Sequence, residues 1–196
     1  MERMDNPSLM ITSNFPHKLS ILIIFTALSL ASNYALIGLP QVKIMDFLVF
    51  TGGFLLGPAY GAAIGILSWL IYGTINPYGF VPQIWLATMF SESIYGFTGG
   101  IISEKLFKNS LNNSYGSLSI FLGVLGFIST FIYDLITNVV YAVSFNVPVI
   151  IAIFTGAPYT ILHQVCNAAI FGVGFIPTVR ALEKLTGGVW FGVLKK

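Results

Sequence analysis

Apolar positions along the chain fall into long, nearly uncharged runs separated by short polar or Pro/Gly breaks. From Leu19 to Leu39 there is no charge, about the ~20 residues a helical bilayer crossing needs. A second run begins near Ile44 and stops at Gly57-Pro58, a pair that breaks a helix. It is short for a full crossing and reads as a short or broken span. A third run extends from Ala59 to Ile75 and ends at Asn76-Pro77-Tyr78-Gly79. A fourth starts at Pro82, a favourable first-turn residue, and ends near Phe107. Residues 108–117 are the one polar loop of any length. A fifth run covers about 118–144, and Asn146-Val-Pro148 interrupts the pattern. A sixth runs from about Pro158 to Leu185. The stretch 149–156 between them is apolar and short, and reads as a segment dipping into protein.

This pattern predicts an all-α membrane protein with six transmembrane helices. A polar tail (1–17) precedes one transmembrane domain (18–185), and a short tail (186–196) follows. Composition agrees. The 196 residues are 56% apolar, and only 8% are charged, against about 25% in soluble domains. A soluble domain of this size could not hide so much apolar surface.

Six crossings put both termini on one side. If that side is cytoplasmic, the inner segments hold Arg3, Lys18, Lys105, Lys108, Arg180, Lys184, Lys195 and Lys196, and the outer segments hold only Lys43. This asymmetry follows the positive-inside tendency and predicts a multi-pass protein of the plasma membrane. A small-x-small site at Ser29-Leu30-Ala31 leaves signal cleavage as an alternative for the first run.

Ionisable groups inside membrane spans are expensive and mark functional candidates. Glu92, Asp134 and His163 lie well inside the runs. At ~1.5 Å per residue from each outer end, they sit about 15, 15 and 8 Å deep. Helical spacing extends them into stripes. These are Trp69, Tyr72 and Asn76 on the third helix, and Trp85, Thr88, Glu92 and Tyr95 on the fourth. The fifth carries Thr130, Asp134, Thr137, Asn138 and Tyr141, and the sixth Tyr159, Thr160, His163 and Asn167. Their convergence predicts a central cavity opening outward. Blander readings stand beside this one. Asp134 and Asn138 could join helices, Glu92 could bond Ser91 or Ser93, His163 could be a packing residue, and the tryptophans could be interfacial belt residues. On the first helix Ala27, Ala31 and Ala35 recur every four residues, a face that permits close helix approach, either inside the bundle or against a partner.

Several classes are disfavoured. There is no Gly-rich phosphate loop, so the chain does not power transport by ATP on its own. No helix carries metal-ligand spacing, no Ser/His/Asp set is evident from spacing, and no inverted repeat stands out. A single cysteine, Cys166, allows no internal disulfide. No basic patch suits nucleic acid. The expectation is a non-enzyme without cofactor or metal.

The run Leu56-Gly57-Pro58-Ala59-Tyr60-Gly61-Ala62-Ala63-Ile64-Gly65, preceded by Lys43-Ile44-Met45-Asp46 and leading into Ser68-Trp69-Leu70, resembles the substrate-binding S-components of energy-coupling factor (ECF) transporters. The runs Tyr133-Asp134-Leu135-Ile136-Thr137-Asn138 and His163-Gln164-Val165-Cys166-Asn167-Ala168 are similar to helices five and six of that family. The likeness spans about residues 18–185. It implies a six-helix subunit that captures a vitamin or similar micronutrient outside, docks on a membrane T-component carried by two cytoplasmic ATPases, and releases its cargo inside. It assigns docking to Ala27, Ala31 and Ala35, and a capping role to the loop from Gly38 to Lys43. The N-terminus lacks the histidine site of the nickel and cobalt members. Alternatives are a stand-alone proton-coupled carrier and an intramembrane enzyme or assembly factor using Asp134 and His163.

The expected substrate site comprises Trp69, Tyr72, Asn76, Tyr78, Trp85, Glu92, Asp134, Asn138, His163 and Asn167. With carboxylates and no Lys or Arg at its depth, it would favour a neutral or cationic, ring-bearing ligand.

Overall fold

A computed structural model describes residues 15–77, 79–109 and 115–185. The described residues form six helices and no strand: α1 (Phe15–Ala35), α2 (Met45–Leu56), α3 (Pro58–Thr74), α4 (Pro82–Asn109), α5 (Tyr115–Ser144) and α6 (Val149–Leu185). The first helix begins before the expected span and ends earlier, so residues 36–44 form a connection. The polar loop contracts as well, because α4 continues to Asn109 and α5 starts at Tyr115.

The stretch 149–156 does not dip. It is the first two turns of α6, which runs through Pro158 and Pro177 as one helix of 37 residues. Its first turn is nucleated outside the helix, where Pro148 C=O accepts from Ile151 N–H at 2.9 Å and Ala152 N–H at 3.1 Å. Proline removes a donor without obliging a helix to stop, and packing against α5 carries α6 past Pro158. At ~1.5 Å per residue, His163 lies about 21 Å below the start of α6, and not 8 Å.

Three helices are long and apolar enough to cross a membrane by length and composition: α1, most of α5 (from Gly116) and most of α6 (to Leu182). Their outer faces are apolar. Ile120, Val143, Phe154 and Val173 are each 70% or more exposed. Asp46, Glu92, His163 and Asn167 are fully buried. Polar groups inside and large aliphatic and aromatic residues outside suit a lipid surround better than water.

Helices α1 to α4 pack on one another, α5 and α6 form a hairpin, and the two groups meet where α4 touches α5 and α2 touches α6. Glycine sets the spacing in the first group. A Cβ added to Gly53 of α2 or Gly61 of α3 would overlap the backbone of Gly96 in α4, and one on Gly96 would overlap Gly61. Three backbones thus converge at one point, closer than any side chain allows, so dispersion acts over backbone surfaces. Gly65 similarly lies against the backbone of Glu92. Gly57, at φ +97°, turns the chain between α2 and α3, and Pro58 opens the next helix. On the α2–α6 side, Phe47, Phe50 and Phe54 meet Phe171 and Phe175 in edge and tilted ring contacts 4.9–6.0 Å between centroids.

Candidate functional site

The polar groups collect at the junction of the two helix groups. His163 of α6 stands between two carboxylates. Its Nε2 is 2.9 Å from Asp46 Oδ2, and its Nδ1 is 3.1 and 3.2 Å from the two oxygens of Asp134. An imidazole can donate from both nitrogens only as the imidazolium. In that form it carries a charge that both acids stabilise. Asn167, one turn along α6, donates from Nδ2 to Asp46 Oδ2 and to Thr130 Oγ1, both at 2.7 Å. Thr130 donates in turn to Gly126 C=O (2.7 Å) and accepts from the Tyr95 hydroxyl (2.9 Å). One chain of bonds therefore joins α2, α4, α5 and α6. Among the described residues, no three His, Cys, Asp or Glu side chains are arranged to hold a metal ion.

Glu92 is fixed from another side. Its Oε2 accepts from Trp69 Nε1 at 3.1 Å, and the alternative bond to Ser91 or Ser93 is not formed; Ser93 donates to the Phe90 carbonyl. The carboxyls of Glu92 and Asp46 lie against each other. Glu92 Oε1 and Asp46 Oδ1 are both buried with no donor among the described residues. Buried acceptors need a partner, and two carboxylates have none to offer each other. A proton shared between the two carboxyls would supply the missing donor.

Above this floor opens a cavity of about 300 Å³. Trp69, Thr88, Asp134, Asn138, Tyr159 and Thr160 form its wall with Tyr133 and Thr137, and Gln41 and Lys43 close it from the α1–α2 connection. Lys43 Nζ lies 5.1 Å from the Tyr133 ring centroid and 5.9 Å from that of Trp69. Gln41 adopts φ +59°, a left-handed conformation uncommon for a residue with a Cβ. A larger open groove of about 450 Å³ runs between α5 and α6, lined by Ile120, Val124, Phe127 and small residues. It carries no ionisable group and belongs to the apolar exterior.

Of the expected site residues, Trp69, Asp134 and Asn138 line the cavity, and Glu92, His163 and Asn167 form the network beneath it. Three others are displaced. Tyr72 is buried in edge contact with Tyr34 and Trp69, at 5.2 Å from each. Trp85 donates to the Trp69 carbonyl (3.2 Å) and packs over Gly73. Asn76 lies beyond the end of α3, outside the cavity wall. Tyr72 and Trp85 are instead engaged with Trp69, and Asn76 falls past the last turn of α3, so none of the three lines the cavity. Tyr78 lies outside the described residues.

Two residues central to the site did not emerge from the sequence. Asp46 falls near the start of the second run and was not counted among the deep ionisable groups, yet it bonds both His163 and Asn167 of α6. Lys43 counted as the one outer cation and, by the resemblance, as the end of a capping loop, but not as a site residue. Its place in the cavity wall overturns the expectation of a site without Lys or Arg. Ala27, Ala31 and Ala35 are all exposed on α1, whose buried face is Leu22, Phe25, Thr26, Ser29 and Asn33. An internal packing face is thereby excluded for the alanine stripe. Comparison of the chain with protein-family models, with curated proteins and with solved structures gave no match.

Proposed function

We propose that this chain is the substrate-binding membrane subunit of an ECF-type importer: a six-crossing protein with both termini cytoplasmic, a small-molecule site toward the outside, and a lipid-facing alanine surface for a T-component. The observation that carries the reading is the cavity capped by Gln41 and Lys43. It is of ligand size, ringed by aromatic and hydrogen-bonding groups, and roofed by the connection that the S-component likeness assigns as a cap. The exposed alanine stripe supports the second half of the reading, since a binding subunit without its own ATP site needs a surface for a partner. The test is co-expression of this chain with a T-component and its two ATPases from the same genome. Association through a membrane pull-down, and uptake that stops when the ATPases carry an inactivating substitution, are the expected results. A chain that purifies alone from that mixture would discard the proposal.

A proton-coupled carrier is the second reading, favoured by the Asp46–Glu92 pair at the core. It predicts uptake by the lone chain in liposomes, abolished by a protonophore. Liposomes that accumulate nothing without the ATPases would remove it.

A further inference from the structure

The charges around the cavity constrain what it can hold. Lys43 has no carboxylate within ion-pair distance among the described residues; its ammonium rests on the faces of Trp69 and Tyr133. Ring faces attract a cation but accept none of its three N–H bonds conventionally, so Nζ keeps its donors for an acceptor in the cavity. Asp134 is the counterpart. It lines the same cavity, its side chain is 12% exposed, and among the described residues His163 Nδ1 is its one side-chain donor. A carboxylate has about four acceptor positions, so Asp134 retains capacity for a donor from the cavity side.

The opposed side chains of the wall make a second argument: one basic group, Lys43, is set against one acidic group, Asp134. A bare anion at Lys43 or a bare cation at Asp134 would leave a buried charge uncompensated, which is costly in a low-dielectric setting. A ligand with both an acid and a basic nitrogen engages both groups.

We infer that the cavity is selective for a small zwitterion with a planar ring, its acid group on Lys43, its protonated nitrogen on Asp134, and its ring among Trp69, Tyr133 and Tyr159. A volume of about 300 Å³ equals roughly ten waters at ~30 Å³ each, which limits the ligand to a compact, single- or fused-ring compound. This inference rests on the binding-subunit reading of the cavity and replaces a neutral or cationic ligand with a doubly charged, net-neutral one.

The test uses three probes that share a ring and differ only in charge: tryptophan, tryptamine and indole-3-propionate. Each is titrated calorimetrically into the purified full chain in detergent, with empty micelles as the blank. Tryptophan is expected to bind at least about tenfold more tightly than either of the others, ~1.4 kcal/mol. In Lys43→Met the preference over tryptamine should disappear while that over indole-3-propionate persists; Lys43→Arg should restore it. In Asp134→Asn, which keeps the shape, the preference over indole-3-propionate should disappear. Equal or tighter binding of tryptamine or indole-3-propionate overturns the inference, and so does absence of binding by all three up to about 20 mM, well beyond the ~1 mM range of weak specific binding. Recovery of the chain with its T-component and ATPases is scored on the same preparation. Retained association with a failed probe series discards the zwitterion alone, and lost association discards the importer reading.

Discussion

His163 has acids on both ring nitrogens, and each acid has few other donors. Its removal would leave Asp46 and Asp134 with a buried, unpaired charge, and breaking such a pair costs about 3–5 kcal/mol. His163→Ala is therefore expected to lower the unfolding midpoint in detergent far more than Asn167→Ala. The latter leaves Thr130 and Asp46 each short of one donor, at about 1–3 kcal/mol. Equal midpoints for the two variants would show that the carboxylates are satisfied some other way. The same residues show what was legible at this scale. Asp134, His163 and Asn167 stood out because an ionisable or amide group in an apolar run is expensive. Asp46 carries the same cost, but as the second residue of α2 it lies at the edge of its run, where depth cannot be read from spacing. Only the fold shows that α2 begins deep enough for Asp46 to meet α6. Lys43 was hidden for a related reason, since loop residues have no periodicity from which a direction can be read.

At the scale of helices, packing in the first group depends on bare backbone. A side chain at Gly96 would collide with the backbone of Gly61, which cannot swing aside as a flexible side chain can. Overpacking of this kind costs about 1–3 kcal/mol where the core can give, and more where it cannot. Gly96→Val should therefore unfold the chain or sharply lower its midpoint. Gly116→Ala, in the first turn of α5 with nothing within 4 Å of the added methyl, should leave it unchanged or slightly raised by better helix propensity. A midpoint for Gly96→Val within a degree of the parent would mean that α3 and α4 are not in backbone contact. Helix positions were readable because uncharged runs and Pro/Gly breaks are strong signals. Two boundaries were not. Pro158 is a helix breaker by local chemistry, yet the α5–α6 contact overrides it. Residues 36–39 continue the apolar run although the helix has ended at Ala35. The alanine stripe was legible as a face, but spacing alone does not say whether that face looks in or out. Because it looks out, Ala27→Trp and Ala31→Trp should leave ligand affinity within about twofold of the parent while abolishing uptake by the assembled complex. The added bulk holds a partner helix away without touching the cavity. Uptake at parental rates in both variants would move the docking surface elsewhere on the molecule.

The whole molecule places its cavity cap, Gln41 and Lys43, on the α1–α2 connection, so the sidedness of that connection decides from where ligand enters. With six crossings, the connections 36–44, 75–81 and 145–148 share one side, and both termini with the 110–114 connection share the other. The lysines and arginines are divided with eight on the terminal side and Lys43 alone opposite, and the importer reading proposed above takes the terminal side as cytoplasmic on that asymmetry. On that reading the one outer cation, Lys43, is accounted for by the cavity it lines. Single cysteines introduced as Asn112→Cys, Lys196→Cys and Tyr78→Cys, each on a Cys166→Ser background, make this measurable with a membrane-impermeant maleimide on intact cells. Tyr78→Cys should react from outside. Asn112→Cys and Lys196→Cys should react only after the membrane is opened. Labelling of Asn112→Cys on intact cells would mean that α4 and α5 do not both cross, and the cavity would then have to fill from the cytoplasm, opposite to the direction an importer's binding subunit requires.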